Sequence, residues 1–168
     1  MRKVMLAALI LMATSAYAQL PLNLQFLDKL EAKAKSKTRM DMDEAMLKSA
    51  TGVLNDQKAG EAAAKKATEG LKGFFLRSYE FDKAGLYKLD DLKPLRDQLK
   101  APDWVSMIQS SENDELVEIW IHRTRGEADG MLLIAAEPKE LTVIYAIGVK
   151  DVSELSKAGR QLGNININ

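Results

Sequence analysis

Leucines at helical spacing mark the first part of the chain after residue 19. Leu24, Leu27 and Leu30 recur every three residues and are followed by Ala34. Apolar residues at this spacing lie on one side of a helix, so they predict an amphipathic helix over about Asn23–Lys35.

Two further helices are predicted before residue 70. Asp41 is followed three residues later by Glu44, a capping-box pattern that marks a helix start. The alanine-rich stretch Glu61–Gly70 predicts a short helix that ends at its glycine. Residues 19–70 are therefore expected to form a helical part.

From Leu71 the hydrophobic period changes to two, which is typical of strands. Gly73–Phe81 predicts the first strand, with Phe75, Arg77, Tyr79 and Phe81 on one face. A helix from Asp90 or Asp91 to about Lys100 follows, with Pro94 tolerated in its first turn. Four more strands are predicted at Trp104–Ser110, Leu116–Thr124, Gly130–Ala136 and Leu141–Val149.

The connections between these last four strands are too short for anything but antiparallel hairpins. Met131–Ala136 is apolar at every position, so this strand is expected at the centre of the sheet, covered on both sides. Asp151 or Ser153 is expected to cap a last helix that ends near Gly163. We therefore predict an α+β fold with a mainly antiparallel sheet of about five strands.

The first residues have the pattern of a secretory signal peptide. Arg2 and Lys3 precede an apolar run over residues 4–13, and the small-x-small sequence Ala16-Tyr17-Ala18 precedes Gln19. These parts predict an exported protein that is cleaved after residue 18. The remaining residues, 19–168, are expected to form one domain: a helical part to residue 70, a strand-rich part over 71–163 and a polar tail.

Charge and cysteine content exclude several classes of protein. Without Arg2 and Lys3 the chain has 22 basic and 24 acidic residues. It therefore lacks the excess positive charge of a protein that binds nucleic acid. The chain contains no cysteine, which excludes disulfides, thiolate metal sites and the acylated cysteine of a lipoprotein. No later apolar run is long enough to span a membrane, so a periplasmic or secreted location is expected. The acidic run over residues 112–118 is expected to be a solvated face or turn.

Two longer motifs resemble a known bacterial family. The run from Leu71 to Asp82 (LKGFFLRSYEFD) is similar to the first strand of domain of unknown function 4252, and Ile134–Val143 (IAAEPKELTV) is similar to its hairpin. The Leu24–Leu30 helix and the segment from Leu99 to Trp104 are similar too. The resemblance implies an exported or lipoprotein-like envelope protein of one domain, with no functional residues assigned. Where lipoprotein members carry cysteine, this chain has Ala18-Gln19.

His122 is the only histidine, so any catalytic triad within one chain would depend on it. It shares a predicted strand face with Trp120 and Glu118. No nucleophile or second metal ligand can be assigned beside it, and a surface role is the simpler interpretation. No catalytic or cofactor-binding residue is predicted.

Met40, Met42 and Met46 form the one candidate metal site. Thioethers are soft ligands that select Cu(I), and an exported protein can meet that ion. The competing interpretation is packing, because Met42 and Met46 are four residues apart at the predicted helix start and Met40 precedes its cap.

Arg77, Tyr79, Trp120 and His122 form the candidate interaction surface. Arg77 and Tyr79 share a strand face, which Trp120 and His122 extend if the strand register allows. Arginine and aromatic residues together are typical of protein-binding surfaces. The competing interpretation, which the preference of aromatic side chains for burial favours, is that helices cover this face and the aromatic residues are part of the core.

The sequence favours a soluble, non-enzymatic binding module whose partner is a protein or a component of the cell envelope. A carrier of Cu(I) or of a small ligand is one alternative, with the methionine cluster as its feature. A small envelope hydrolase is another, because catalytic carboxylates leave little trace in one sequence. No cofactor is predicted.

Overall fold

The computed structural model describes residues 22–53, 62, 65, 66 and 68–149. Within them six strands form one antiparallel sheet in the order β1-β2-β6-β5-β4-β3. The strands are β1 Ser36–Asp43, β2 Gly73–Glu80, β3 Trp104–Glu112, β4 Glu115–Thr124, β5 Glu127–Glu137 and β6 Glu140–Ile147. The α+β class and the antiparallel sheet are confirmed, with six strands instead of about five.

Three α-helices have both of their ends within the described residues: α1 Leu27–Glu31, α2 Glu44–Gly52 and α3 Lys93–Gln98. A 3₁₀ turn, Leu89–Leu92, leads into α3, and Pro94 lies in the first turn of α3 as expected. Residues 62, 65, 66 and 68 are helical. None of the helices in these ranges is long and apolar enough to cross a membrane. The predicted signal peptide and the predicted helix ending near Gly163 lie outside the described residues.

The chain around residues 32–43 corrects two expectations. The predicted helix over Asn23–Lys35 is reduced to α1, because the chain then leaves the helix to join the sheet, where the Lys35 N–H donates to the Glu80 carbonyl at 2.8 Å. Strand β1, which follows, was not predicted. The second helix is capped by Asp43 and not by Asp41: the Asp43 carboxylate accepts from the Met46 N–H at 2.8 Å.

The predicted hairpins are confirmed, and their turns explain why they are tight. The β3–β4 turn has Asn113 and Asp114 at positive φ, and the β4–β5 turn has Arg125 and Gly126 at positive φ. Two consecutive residues of this kind form turns whose twist matches that of antiparallel strands. These hairpins fix the register of β4, which carries Trp120 and His122.

The sheet has two faces with different cover. We call the face that carries Tyr79, Leu132 and Ile134 the helix face, because the buried leucines of α1 and α3 share its hydrophobic cluster. The opposite face, which carries Leu133 and Ile144, we call the second face. On it a smaller cluster joins Leu47 of α2 to Leu71, Ala146 and Val149.

Strand β5 lies in the interior of the sheet, as predicted, between β4 and β6. Its residues on the helix face, Leu132, Ile134 and Ala136, are fully buried. On the second face Leu133 and Ala135 are only half-buried. Strand β5 is therefore covered completely on the helix face and only partly on the second face, whereas cover on both faces was expected.

Candidate interaction surface

The strand register places all four candidate surface residues on the helix face. Arg77 lies on β2 and aligns across β6 and β5 with Glu118 of β4. Trp120 and His122 lie on β4, on the same side as Glu118. Two strands therefore separate the β2 pair from the β4 pair.

Arg77 is buried and holds the edge strand β1. Its guanidinium donates to the carbonyls of Leu76 at 2.8 Å and Met40 at 3.2 Å, and it contacts the Asp41 carboxylate at 2.6 Å. Arg39 donates to the same carboxylate at 3.0 Å. Burial alone would raise the pKa of Asp41, but the hydrogen bonds from Arg77 and Arg39 outweigh it, and the pKa is lowered. Arg77 is thus committed to a structural network.

Tyr79 is part of the core. Its side chain is 1% exposed, and its hydroxyl makes no hydrogen bond with any residue that the structure describes. Burial raises the pKa of Tyr79 to about 12, since the charged phenolate is disfavoured away from water. Both Arg77 and Tyr79 are buried, and Tyr79 belongs to the cluster that includes the helix leucines, so these two residues lie as the core alternative expects.

Trp120 is anchored by a buried carboxylate that the sequence did not reveal. Glu118 is 1% exposed, contacts the Arg96 guanidinium of α3 at 3.0 Å and accepts from the Trp120 indole N–H at 3.1 Å. The expectation that residues 112–118 are a solvated run is therefore wrong for Glu118. A buried carboxylate needs such partners, because desolvation without them is costly. This group fastens α3 to the sheet.

His122 lies between two carboxylates at one end of the helix face. Its Nδ1 is 2.6 Å from Asp129, its Nε2 is 3.8 Å from Asp103, and its ring centroid is 4.9 Å from that of Trp104. The Thr124 hydroxyl donates to Asp129 and not to the imidazole, so it is not activated as a nucleophile would be. Within the described ranges, no group of three or more His, Asp or Glu side chains is placed to hold a metal ion.

Of the three candidate methionines only Met46 lies at a helix start, which corrects the geometry assumed for Met40 and Met42. Met40 and Met42 lie on β1, on the second face, and Met46 lies on α2. Met42 packs against the cluster around Leu47, whereas Met40 and Met46 are 39% and 51% exposed. Binding of Cu(I) by these thioethers stays a prediction.

Strand β3 was predicted as a strand, but its exposed position at the edge of the sheet was not. It is the last strand of the sheet, and its seven residues from Ser106 to Glu112 are all exposed. Only Glu112 among the nine residues of β3 is charged. Met107, at a bulge between Ser106 and Ile108, is 56% exposed, and Ile108 is 40% exposed. The run of uncharged residues from Trp104 to Ser111 was the signal available in the sequence.

A row of apolar side chains crosses the second face and ends on β3. Its four inner members are half-buried, while its two ends on the edge strands are exposed. From β1 to β3 the register aligns Met40, Leu76, Ile144, Leu133, Ile119 and Ile108. Apolar surface thus reaches both edges of the sheet.

One family accounts for most of the chain. No curated protein matches it. The sequence profile of Domain of unknown function (DUF4252) matches residues 31–158, which include all six strands. The chain therefore belongs to the DUF4252 family.

Proposed function

We propose that this chain is an exported, non-enzymatic binding module of the bacterial cell envelope and that it contacts its partner through β3. The signal-peptide pattern of residues 1–18 supports export. The exposed, uncharged edge of β3 carries the rest of the proposal.

A strand at the edge of a sheet presents unpaired backbone N–H and C=O groups to any extended segment that approaches. Proteins that use such an edge gain affinity from main-chain hydrogen bonds and specificity from the alternating side chains. On β3 the exposed Met107 and Ile108 supply apolar contacts, and no charge opposes a partner before Glu112. The partner segment is accordingly extended and mostly uncharged.

The alternatives have weaker support. A hydrolase would need His122 to face a nucleophile, but its Nδ1 faces Asp129 and its Nε2 has Asp103 as the nearest carboxylate. A Cu(I) carrier would need Met40, Met42 and Met46 to converge, whereas Met42 packs into the Leu47 cluster.

Photo-crosslinking in living cells tests the docking role of β3. A photoreactive benzoylphenylalanine replaces Met107 in one variant and Thr38 in the control, an exposed residue on the opposite edge strand β1. The proposal expects a discrete cross-linked product from position 107 and none from position 38. Equal products from both positions, or none from position 107, would overturn it.

Export has a separate test. The mature protein recovered from its own cells is expected to have the mass of residues 19–168 and to be found in the periplasm or the medium. A chain that retains residues 1–18 in the cytoplasm would refute the envelope location.

A further inference from the structure

We propose that the outer edge of β3 pairs with β3 of a second copy of this chain, antiparallel about a twofold axis. Two sheets of six strands would then become one sheet of twelve. This inference rests on the proposed function, because it names the partner of the same edge.

The straight part of β3 suits such pairing. The bulge at Met107 disturbs the ladder before Ile108, whereas the residues from Ile108 to Glu112 pair with β4 without interruption. All five are exposed, and among the described residues no strand lies beyond them. This segment therefore offers about half of its backbone groups, in a regular row, to another strand.

The charge distribution on β3 makes it complementary to itself. In an antiparallel pair centred on Ser110, Ile108 of one copy lies opposite Glu112 of the other, and Gln109 lies opposite Ser111. The two Glu112 carboxylates are then at opposite ends of the interface, so no like charges face each other. A second copy also supplies an uncharged, unpaired strand wherever the first is present.

Pairing of β3 with itself also closes the assembly. A contact between β3 of one copy and β1 of the next would leave free edges at both ends and grow into a filament. Side-chain charges on β1 oppose this contact, because alternate residues from Lys37 to Asp43 are charged. A twofold contact through β3 buries the uncharged edge and leaves the charged edges outside.

The apolar row gives the contact a side-chain component. Opposite residues of an antiparallel pair lie on the same face of the sheet, so Ile108 of each copy stays on the second face. In the register centred on Ser110, each Ile108 lies opposite Glu112 of the other copy, so the two apolar rows, each running from Met40 to Ile108, end on either side of the twofold axis. The methylene groups of Glu112 then cover part of the exposed Ile108 side chain in both copies.

A single-cysteine scan tests the geometry directly. Since the chain contains no cysteine, any disulfide in a single-cysteine variant of the mature chain joins two copies. The variants are Ile108→Cys, Ser110→Cys and Glu112→Cys, with Thr38→Cys as the control. Thr38 and Ser110 are matched, since they are the exposed ends of one cross-sheet row.

The expected result is disulfide formation fastest at position 110, where the two copies of β3 cross the twofold axis, slower at positions 108 and 112, and slowest at position 38. The opposite ranking, or equal rates at all four positions, would overturn the inference.

Sedimentation of the mature chain provides the second measurement. Wild type is expected to be a dimer, Ser110→Lys to weaken dimerisation by more than about tenfold, and Thr38→Lys to leave it unchanged. A monomeric wild type would overturn the inference. If position 107 still cross-links a different protein in cells, the docking role of β3 stands and only the choice of partner is wrong.

Discussion

The two edge strands of the sheet, β1 and β3, both have backbone groups along their outer edge that pair with no other described strand, but their side-chain charges differ. Four of the eight residues of β1 are charged, and most of these charges are engaged within the chain. Lys37 contacts Glu31 at 3.0 Å, Arg39 and Arg77 hold Asp41, and Asp43 caps α2. On β3 only the last residue, Glu112, is charged, and the seven residues from Ser106 onward are exposed.

Charged side chains on an edge strand discourage other strands from pairing with it. Strand β1 has this protection and is also fastened to the fold through Arg77. Strand β3 has only the bulge at Met107. An edge that is left uncharged in an otherwise charged surface is the place where this sheet can extend.

The largest expected difference between the two edges is in stability. Arg77→Met removes the side chain that holds β1, and we expect it to lower the free energy of unfolding by about 2 kcal/mol, below the usual cost of breaking a buried pair because Asp41 is partly exposed. Gln109→Met on β3, in the same cross-sheet row, is expected to change it by less than about 0.5 kcal/mol. Urea unfolding followed by circular dichroism measures both; equal losses would mean that β1 is no better anchored than β3.

The last residues of the two strands make a second matched pair. Asp43→Ala removes the cap of α2 and is expected to cost about 1 kcal/mol, while Asp43→Asn retains most of that stability because asparagine also caps. Glu112→Ala, at the end of β3, is expected to fall within about 0.5 kcal/mol of wild type. Urea unfolding measures all three variants. An unchanged free energy of unfolding for Asp43→Ala would show that the Asp43 cap does not stabilise α2.

A smaller change in the free energy of unfolding is expected when the pH is lowered. The pKa of Asp41 is lower in the folded protein than its usual 3.8, so its contribution to stability is present above that value. As the pH falls through 3.8 the carboxylate of the unfolded chain takes up protons first, and the contribution is lost progressively until the pH is below the lower pKa of the folded protein. We expect a loss below about 1 kcal/mol, given the exposure of Asp41, and a flatter pH profile for Asp41→Asn. An unchanged profile in that variant would contradict the assigned network.

The smallest expected effect is on Cu(I) binding. If β1 carried a thioether site, the protected edge would have a function of its own. We expect a titration against a competing chelator to give the same affinity for wild type and for the double variant Met42→Leu, Met46→Leu, since Met42 is packed in a hydrophobic cluster. A clear loss of affinity in the variant would establish the carrier function instead.

The sequence predicted the hairpins well because β4, β5 and β6 carry a strong signal. Their apolar patterns are long, and turn residues that accept positive φ mark where they begin or end: Asn113 precedes β4, and Gly126 lies between β4 and β5. The chain then has little choice of pairing. Strand β1 gave no such signal, because seven of its eight residues are exposed and its two methionines are its only apolar residues.

The candidate surface was less predictable for a different reason. Arg77 and Glu118 are charged residues in half-buried strands, and their partners, Asp41 and Arg96, lie far from them in sequence. Only the topology reveals that these pairs meet, and therefore that the face with Arg77 and Tyr79 is core. Whether β3 is interior or at an edge also depends on the strand order, which the sequence did not give.

Hydrogen exchange of the purified mature chain at low and high protein concentration tests the self-pairing of β3 most directly. We predict that outward-facing amides of residues 108–112 exchange more slowly at high concentration, because a second β3 accepts their N–H groups. Amides of residues 36–43 are predicted to exchange at the same rate at both concentrations. Unchanged exchange in residues 108–112, or equal slowing in residues 36–43, would contradict the proposed pairing of β3 with itself.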